Sequence, residues 1–396
     1  MNLSRLDLLI YAHDGRGLGH ASRSTAIGMA MRRLFPEKRV LFVSGTKHAG
    51  TLIDDAPLDW IKLPAYATKV VDGRSTGIDG LSNFSDRQLG NFRTDSLAHL
   101  MALYRPRCVL VDHSPQGKHK ELLSALKTSG KTGTRWVLGV RGIVGGVSQV
   151  GSDLARDMFR KHYSALLWYG DSNVLGRQQI QHLFTCYGMQ PDETGYVSRL
   201  SELAHWRSKG RLAMEPIAAT ISIPWTGEYT EQLLSGLART ISTIGPHHGQ
   251  WHIFIGAGPD EACYNTVRRF FSHLPFAHVL PASNAYIDAL TASKIAVIYG
   301  GYNSLMDILW AGKPALVVLR DMQDREQQLH VKRLRHLKGI NLEVIDERSA
   351  AEPVNTSHLL TGLLESEKTG DQSLLIDLNG AANAAKRLNE VIMDGD

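Results

Sequence analysis

The sequence predicts an α/β protein built from two doubly wound domains. Three observations carry this expectation. The chain has 396 residues, enough for two domains of ordinary size. Short apolar runs alternate with helical stretches in both halves. Glycine is abundant, at 37 residues, and it gathers where an apolar run hands over to a helix, as tight strand-to-helix turns require.

In the first half, Leu8–Ala12 is an apolar run, followed by a glycine-rich turn and a helical pattern over Ser22–Leu34. Val40–Ser44, Cys108–Val111, Trp136–Val140 and Leu166–Tyr169 read as further strands, with a helix over Lys120–Lys127. Apolar runs separated by helical stretches indicate a parallel sheet covered on both faces. Gly73–Asn91 is polar and lacks a period, so it reads as a long loop. The second half restarts the pattern. Strands are expected at Ala218–Ile223, Trp251–Gly256, Ala277–Leu280, Ile295–Tyr299 and Ala315–Leu319. Helices are expected at Glu228–Thr243, Asp260–Ser272, Ala285–Ser293 and Asn303–Ala311. Ser198–Glu215 is polar and charged, and reads as the linker. Ile376–Ile392 reads as an amphipathic helix with Gly380 as a weak point near its start.

The expected organisation is therefore a first domain over Met1–His205 and a second over Trp206–Leu375. A C-terminal helix within Ile376–Asp396 is expected to pack back on the first domain. Two such domains place a ligand between the carboxyl ends of their sheets.

Composition narrows the function classes. The net charge is +5, with no block of Lys and Arg. A mildly basic balance suits a small anionic ligand such as a nucleotide diphosphate as easily as nucleic acid. The missing basic stripe with interleaved aromatics argues against nucleic acid. The three cysteines, Cys108, Cys186 and Cys263, are far apart. That sparse, odd set fits a reducing compartment better than a disulfide framework. The first residues lack the pattern of a secretion signal, and no apolar run reaches membrane-spanning length. A cytoplasmic protein is expected, with peripheral membrane contact and oligomeric state left open.

The richest segment runs from Ala296 to Leu334. An apolar strand enters Gly300-Gly301-Tyr302 and then a helix starting near Asn303-Ser304. A helix N-terminus offers unpaired N–H groups and partial positive charge, both suited to phosphate. Asn303 or Ser304 is the expected N-cap. Asp307 follows Asn303 by one helical turn on the same face, and its carboxylate can accept bonds from both ribose hydroxyls. Gln327 and Gln328, beside Glu326, suit the hydroxyls of a sugar. The plainer reading is a β-to-α turn with a capped helix and solvated charges.

The first strand leads into His13-Asp14-Gly15-Arg16-Gly17-Leu18-Gly19-His20. This is not the dinucleotide fingerprint, since Ser22 stands where the third glycine belongs. His20 is the candidate general base, because an unperturbed imidazole titrates near neutrality. Positioning of a phosphate, or shaping of the turn, are its alternatives. Arg16 and Arg23 either approach a diphosphate or are solvated. Asp112 and His113 close another strand at the same sheet edge. Asp112 could orient His20, contact the acceptor or cap the following turn. Arg141 is a similar candidate at the sheet edge.

Gly-Gly-Tyr-Asn-Ser, the acidic residue in the helix, Ala-Gly-Lys-Pro-Ala-Leu-Val-Val and Arg-Glu-Gln resemble the donor domain of glycosyltransferase family 28. Gly-Leu-Gly-His and Asp-His-Ser-Pro resemble the bacterial group usually called predicted glycosyltransferases. A more distant likeness is to the N-acetylglucosaminyltransferase that makes peptidoglycan lipid II. The resemblance spans Tyr11 to about Leu337. It implies a GT-B fold, two Rossmann-like domains facing each other across a cleft. It also implies an inverting transfer from a nucleotide-diphosphate sugar, with a UDP-sugar favoured, to a small-molecule or glycan acceptor.

By the same resemblance, Asp307 stands where the family has a Glu on the ribose. Gln327 and Gln328 match its sugar-contacting pair, and Ala282 and Ser283 match the stretch whose backbone reads the base. The family's glycine-rich turn after the first strand of this domain is here Pro224-Trp225-Thr226-Gly227, with Thr226 the remaining candidate for the diphosphate. Arg16, Gly17, Gly19, His113 and Arg141 fall on the acceptor or diphosphate side. No cofactor and no metal are expected. The sequence's Asp-x-Asp, Asp394-Gly395-Asp396, closes the chain, and His247, His248 and His252 crowd a glycine-rich loop without ligand spacing.

Overall fold

A computed structural model describes residues 5–13, 18–71, 74–78, 83–130, 132–143, 151–207, 215–223, 229–320, 325–366 and 376–394. They fall into two compact units: Met1–Arg207 with Ile376–Asp396, and Ser208–Leu375.

The first unit is organised by strands that are apolar at nearly every position in the centre of its sheet and polar toward its edges. They are β1 (Leu8–Ala12), β2 (Val40–Ser44), β3 (Asp59–Lys62), the hairpin pair β4 (Ala67–Val71) and β5 (Arg74–Ile78), β6 (Cys108–Asp112), β7 (Arg135–Arg141), β8 (Tyr163–Tyr169) and β9 (Asp192–Glu193). β1, β2 and β6 are buried at every residue, as a parallel sheet with both faces covered demands. The sheet order is β3-β2-β1-β6-β7-β8-β9, with every pairing parallel. The chain winds outward from β1 through β2 to β3, then returns to place β6 on the other side of β1. That reversal makes the gap between the carboxyl ends of β1 and β6 a topological switch point, where open α/β sheets bind ligands.

Two expectations are corrected here. Gly73–Asn91 is not one loop: β4 and β5 form an antiparallel hairpin, and a helix over Asp86–Tyr104 begins inside the stretch. A capping box starts that helix, since the Ser85 side chain accepts from the Gln88 N–H and the Gln88 side chain accepts from the Ser85 N–H. The proposed linker Ser198–Glu215 is also partly helical, over Arg199–Trp206, with Ser198 as N-cap.

The C-terminal helix, Gly380–Met393, packs on the helix Gly19–Leu34 of the first unit. Gly380 is no weak point. A Cβ there would come within 2.5 Å of the Gly195 and Tyr196 backbone, so glycine is what permits the approach. Tyr196 N–H donates to the Asp377 carbonyl at 2.7 Å, and Asp377 N–H donates to the Asp171 carboxylate at 3.0 Å.

The second unit repeats the plan with β10 (Ile217–Ile223), β11 (Gln250–Ile255), β12 (Ala277–Pro281), β13 (Ser293–Tyr299), β14 (Ala315–Leu319) and β15 (Leu342–Asp346). Their order is β12-β11-β10-β13-β14-β15, again all parallel. Its core includes Ile221, Leu237, Trp251, Val297, Leu316 and Leu360. The switch point lies between β10 and β13, so Gly300-Gly301 leaves the sheet there. Among the described residues no helix is long and apolar enough to cross a membrane.

Candidate active site

At the switch point of the first unit, three imidazoles and a carboxylate converge. His13 follows β1, His20 stands in the first turn of the helix Gly19–Leu34, and Asp112-His113 ends β6. His20 Nδ1 lies 3.1 Å from Asp112 Oδ2, with Asp112 only 1% exposed and His20 18% exposed. Arg23, one turn along the same helix, bonds both oxygens of Asp112 at 3.0 and 3.3 Å. It is 2% exposed, so it is not a solvated arginine. Its guanidinium also lies 3.2 Å from His20 Nδ1. A guanidinium only donates. With Asp112 taking the Arg23 protons, the balanced network has His20 Nδ1–H donating to Asp112, which leaves Nε2 as a lone-pair acceptor.

Burial lowers the His20 pKa well below 6.5, and the charges of Arg23, Arg141 and Lys118 lower it further. His13 and His113 are lowered too, by burial first and by His20 next. All three rings are therefore neutral at pH 7. The His13 and His20 ring centroids are 3.9 Å apart, and His113 lies 5.3 Å from His20. His113 has a φ of 77°, a left-handed conformation uncommon for a non-glycine residue. Arg141 closes the adjacent strand β7 and is half-buried. A second layer lies behind this group. Glu121 accepts from Arg93 at 2.6 and 2.9 Å and from Tyr66 Oη at 3.0 Å, and it pairs with the Tyr11 hydroxyl. Arg93 and Glu121 are both fully buried.

The second unit offers a helix N-terminus behind two glycines whose own N–H groups are taken, Gly300 donating to the Val318 carbonyl at 3.1 Å and Gly301 to the Tyr299 carbonyl at 2.8 Å. Gly300 is pressed into its turn: a Cβ there would meet the Leu319 side chain at 2.8 Å and Val317 at 3.3 Å. A Cβ on Gly301 would meet nothing within 4 Å. The following helix is Tyr302–Ala311, and its N-cap is Gly301, with no side-chain cap. This corrects the expectation that Asn303 or Ser304 would cap it; both lie inside the first turn. Tyr302 is buried, whereas Asn303, Ser304 and Asp307 are half-buried on the outer side of the helix. Ala282 and Ser283 are exposed just past β12, at the same end of the sheet.

Gln327 and Gln328 begin the helix Glu326–Arg335. Gln327 packs toward Gly300, its Cβ 3.5 Å from where a Gly300 Cβ would stand, and its buried Oε1 has no partner among the described residues. Gln328 instead lines a cavity of about 480 Å³ with Leu319, Val331, Lys332, Arg335, His336 and Val344. Successive helix residues diverge by about 100°, so the two amides leave the helix in different directions. Arg16 and Gly17, and Thr226 with its turn, lie outside the described residues. Gly19 opens the first-unit helix. Among the described residues, no group of three or more His, Cys, Asp and Glu side chains is arranged to hold a metal ion.

Solved structures share this architecture. A UDP-GlcNAc 2-epimerase from Neisseria meningitidis, bound to UDP-GlcNAc, superposes with a TM-score of 0.62 at 12% identity, covering 98% of this chain and 100% of its own. MurG from Acinetobacter baumannii gives 0.53 at 12% identity, covering 98% and 99%. A glycosyltransferase from Rickettsia africae gives 0.52 at 9% identity, covering 99% and 94%. The fold is GT-B. No family model matches the chain, and no curated protein matches it in sequence.

Sequence reasoning missed several of the polar groups at these sites. His13 was passed over because a histidine beside a glycine turn carries no signature of its own. Arg320, 7% exposed, ends β14 with its guanidinium 3.8 Å from the Tyr299 ring centroid and 3.7 Å from Glu347. Burial raises the Tyr299 pKa to about 12. Arg93 and Glu121 lie 28 residues apart, a spacing that says nothing until the chain is folded.

Proposed function

We propose that this chain is a metal-independent, inverting glycosyltransferase, moving a sugar from a UDP-sugar to a hydroxyl of a small-molecule or glycan acceptor. The observation that carries the reading is the His20–Asp112 dyad at the switch point of the first unit. Asp112 holds the Nδ1–H tautomer, so Nε2 keeps the lone pair of a base. In the reaction, Nε2 takes the proton of an acceptor hydroxyl. The acceptor oxygen attacks the anomeric carbon as the bond from that carbon to the diphosphate oxygen breaks. A single displacement inverts the anomeric centre, and the nucleoside diphosphate leaves with the electron pair. The helix N-terminus without a side-chain cap, and the open space at Gly301 before it, suit the diphosphate, Asp307 the ribose, and Gln327 the sugar. The UDP-GlcNAc bound in the Neisseria meningitidis epimerase of the same fold supports uracil as the base.

A thermal-shift panel of UDP, GDP, TDP and ADP tests the donor half. Stabilisation follows ligand concentration over affinity, so UDP should give the largest shift. No shift with any of the four removes the donor assignment.

A second reading is a nucleotide-sugar epimerase or hydrolase. It is favoured by the crowding of His13 and His113 around His20, since epimerisation needs one group to remove a proton and another to return it. Product analysis separates the readings: a glycosylated acceptor, free sugar, or an epimer of the donor. A non-catalytic nucleotide-binding protein would retain its cellular activity after His20→Ala.

A further inference from the structure

We propose that His13 is a second acceptor-binding residue, its Nε2–H donating to an oxygen next to the one that His20 deprotonates, so that the acceptor is a polyol with oxygens on neighbouring carbons. This rests on the transferase reading above.

His13 has two ring nitrogens in different surroundings. Its Nδ1 is buried and has no partner among the described residues. A buried N–H without an acceptor is rarer and costlier than a bare lone pair. The proton therefore sits on Nε2, and Nδ1 keeps its lone pair. The residue as a whole is half-buried, at the edge of the sheet rather than in the core.

His20 carries the opposite tautomer, because Asp112 accepts its Nδ1–H. Two rings 3.9 Å apart and tilted by 41° thus present opposite polarity: a lone pair on His20 and an N–H on His13. A lone hydroxyl would satisfy only the first. Two oxygens on adjacent carbons satisfy both, one giving up its proton and its neighbour accepting a hydrogen bond. His13 stays neutral in this role, since burial and the adjacent His20 oppose its protonation. It moves no proton, so it positions the acceptor and fixes which hydroxyl meets the base.

Two measurements on the full chain test this. Nitrogen-15 correlation spectra of histidine-labelled protein at pH 7 should show His13 protonated on Nε2 and His20 on Nδ1. A His13 proton on Nδ1 overturns the proposal. The second uses UDP-N-acetylglucosamine with methyl glycosides and their singly deoxygenated analogues as acceptors. His13→Ala should raise the acceptor KM about tenfold, the size of one hydrogen bond, while the donor KM stays put. His13→Gln, which keeps an N–H donor, should recover part of the loss. On the analogue lacking the neighbouring hydroxyl, wild type and His13→Ala should have equal KM. An equal loss on both acceptors overturns the role of His13 and leaves the transferase reading standing. Turnover to an epimer or free sugar, with no transfer to any glycoside by the wild type, overturns both.

Discussion

The two switch points of this molecule are built from opposite materials. In the first unit, the ends of β1, β6 and β7 and the start of the helix Gly19–Leu34 carry imidazoles, a carboxylate and guanidinium groups, and His20, Arg23 and Asp112 among them are already bonded to one another. In the second, the end of β13 carries two glycines and a helix with no side-chain cap. One end presents side-chain chemistry that a second layer must hold in place. The other presents backbone, which needs only the absence of side chains. The same parallel topology thus ends in polar side chains in one unit and in bare backbone in the other, and substitutions at the two should break different things.

The sharpest break is expected at His20. Removing a general base costs about 10²–10⁴-fold in rate, so His20→Ala should lower kcat by that amount while the UDP-induced thermal shift persists. Asp112→Asn keeps the shape but not the charge that Arg23 and the His20 Nδ1–H share, and should lower kcat by about 10²-fold. A variant that instead loses UDP binding would show that the first unit also carries the donor, and the contrast would collapse.

The glycines sharpen the comparison from the other side. Gly301 has open space where a Cβ would stand, and its φ of −72° strains no residue. Gly301→Ala should therefore cost under about 1 kcal/mol of stability, the scale of an N-cap change. If phosphate oxygens occupy that space, the same variant should weaken UDP about tenfold or more, a gap of about 1.4 kcal/mol. Gly300→Ala should lower stability as well, because Leu319 stands 2.8 Å from the added atom. Equal UDP affinity in Gly301→Ala and wild type would remove the phosphate from this turn.

The same difference explains what was legible in the sequence. The second-unit turn was readable because glycine leaves a local signature: a strand, Gly300-Gly301, then a helix. His20 was readable for the same reason, through the glycines before it. Strand positions such as Ala315–Leu319 were readable because both faces of the sheet are covered and every residue is apolar. What could not be read was contact across the chain. Arg23 meets Asp112 over 89 residues, and Glu121 gathers Tyr11, Tyr66 and Arg93 from three separate segments. The helix Asp86–Tyr104 was a failure of a different kind, since its Ser85-x-x-Gln88 capping box was present in the sequence and outweighed by the polar stretch around it.

The smallest expected effect is also the most specific to the first unit, and it lies in pH. A general base works when unprotonated. Burial, Arg23, Arg141 and Lys118 all disfavour the His20 imidazolium, so the acid limb of kcat/KM should fall below pH 6.5, the value of an unperturbed histidine. Arg141→Gln removes one of those cations, so the imidazolium becomes easier to form and the limb should move up toward 6.5. Stability should follow the same groups. His13, His20 and His113 resist protonation in the folded chain and accept it freely when unfolded. The unfolded state therefore binds more protons below about pH 6.5, and folding stability should decline as the pH drops through that range. An acid limb above pH 6.5, or one unmoved by Arg141→Gln, would mean that the base is not the buried imidazole beside Asp112.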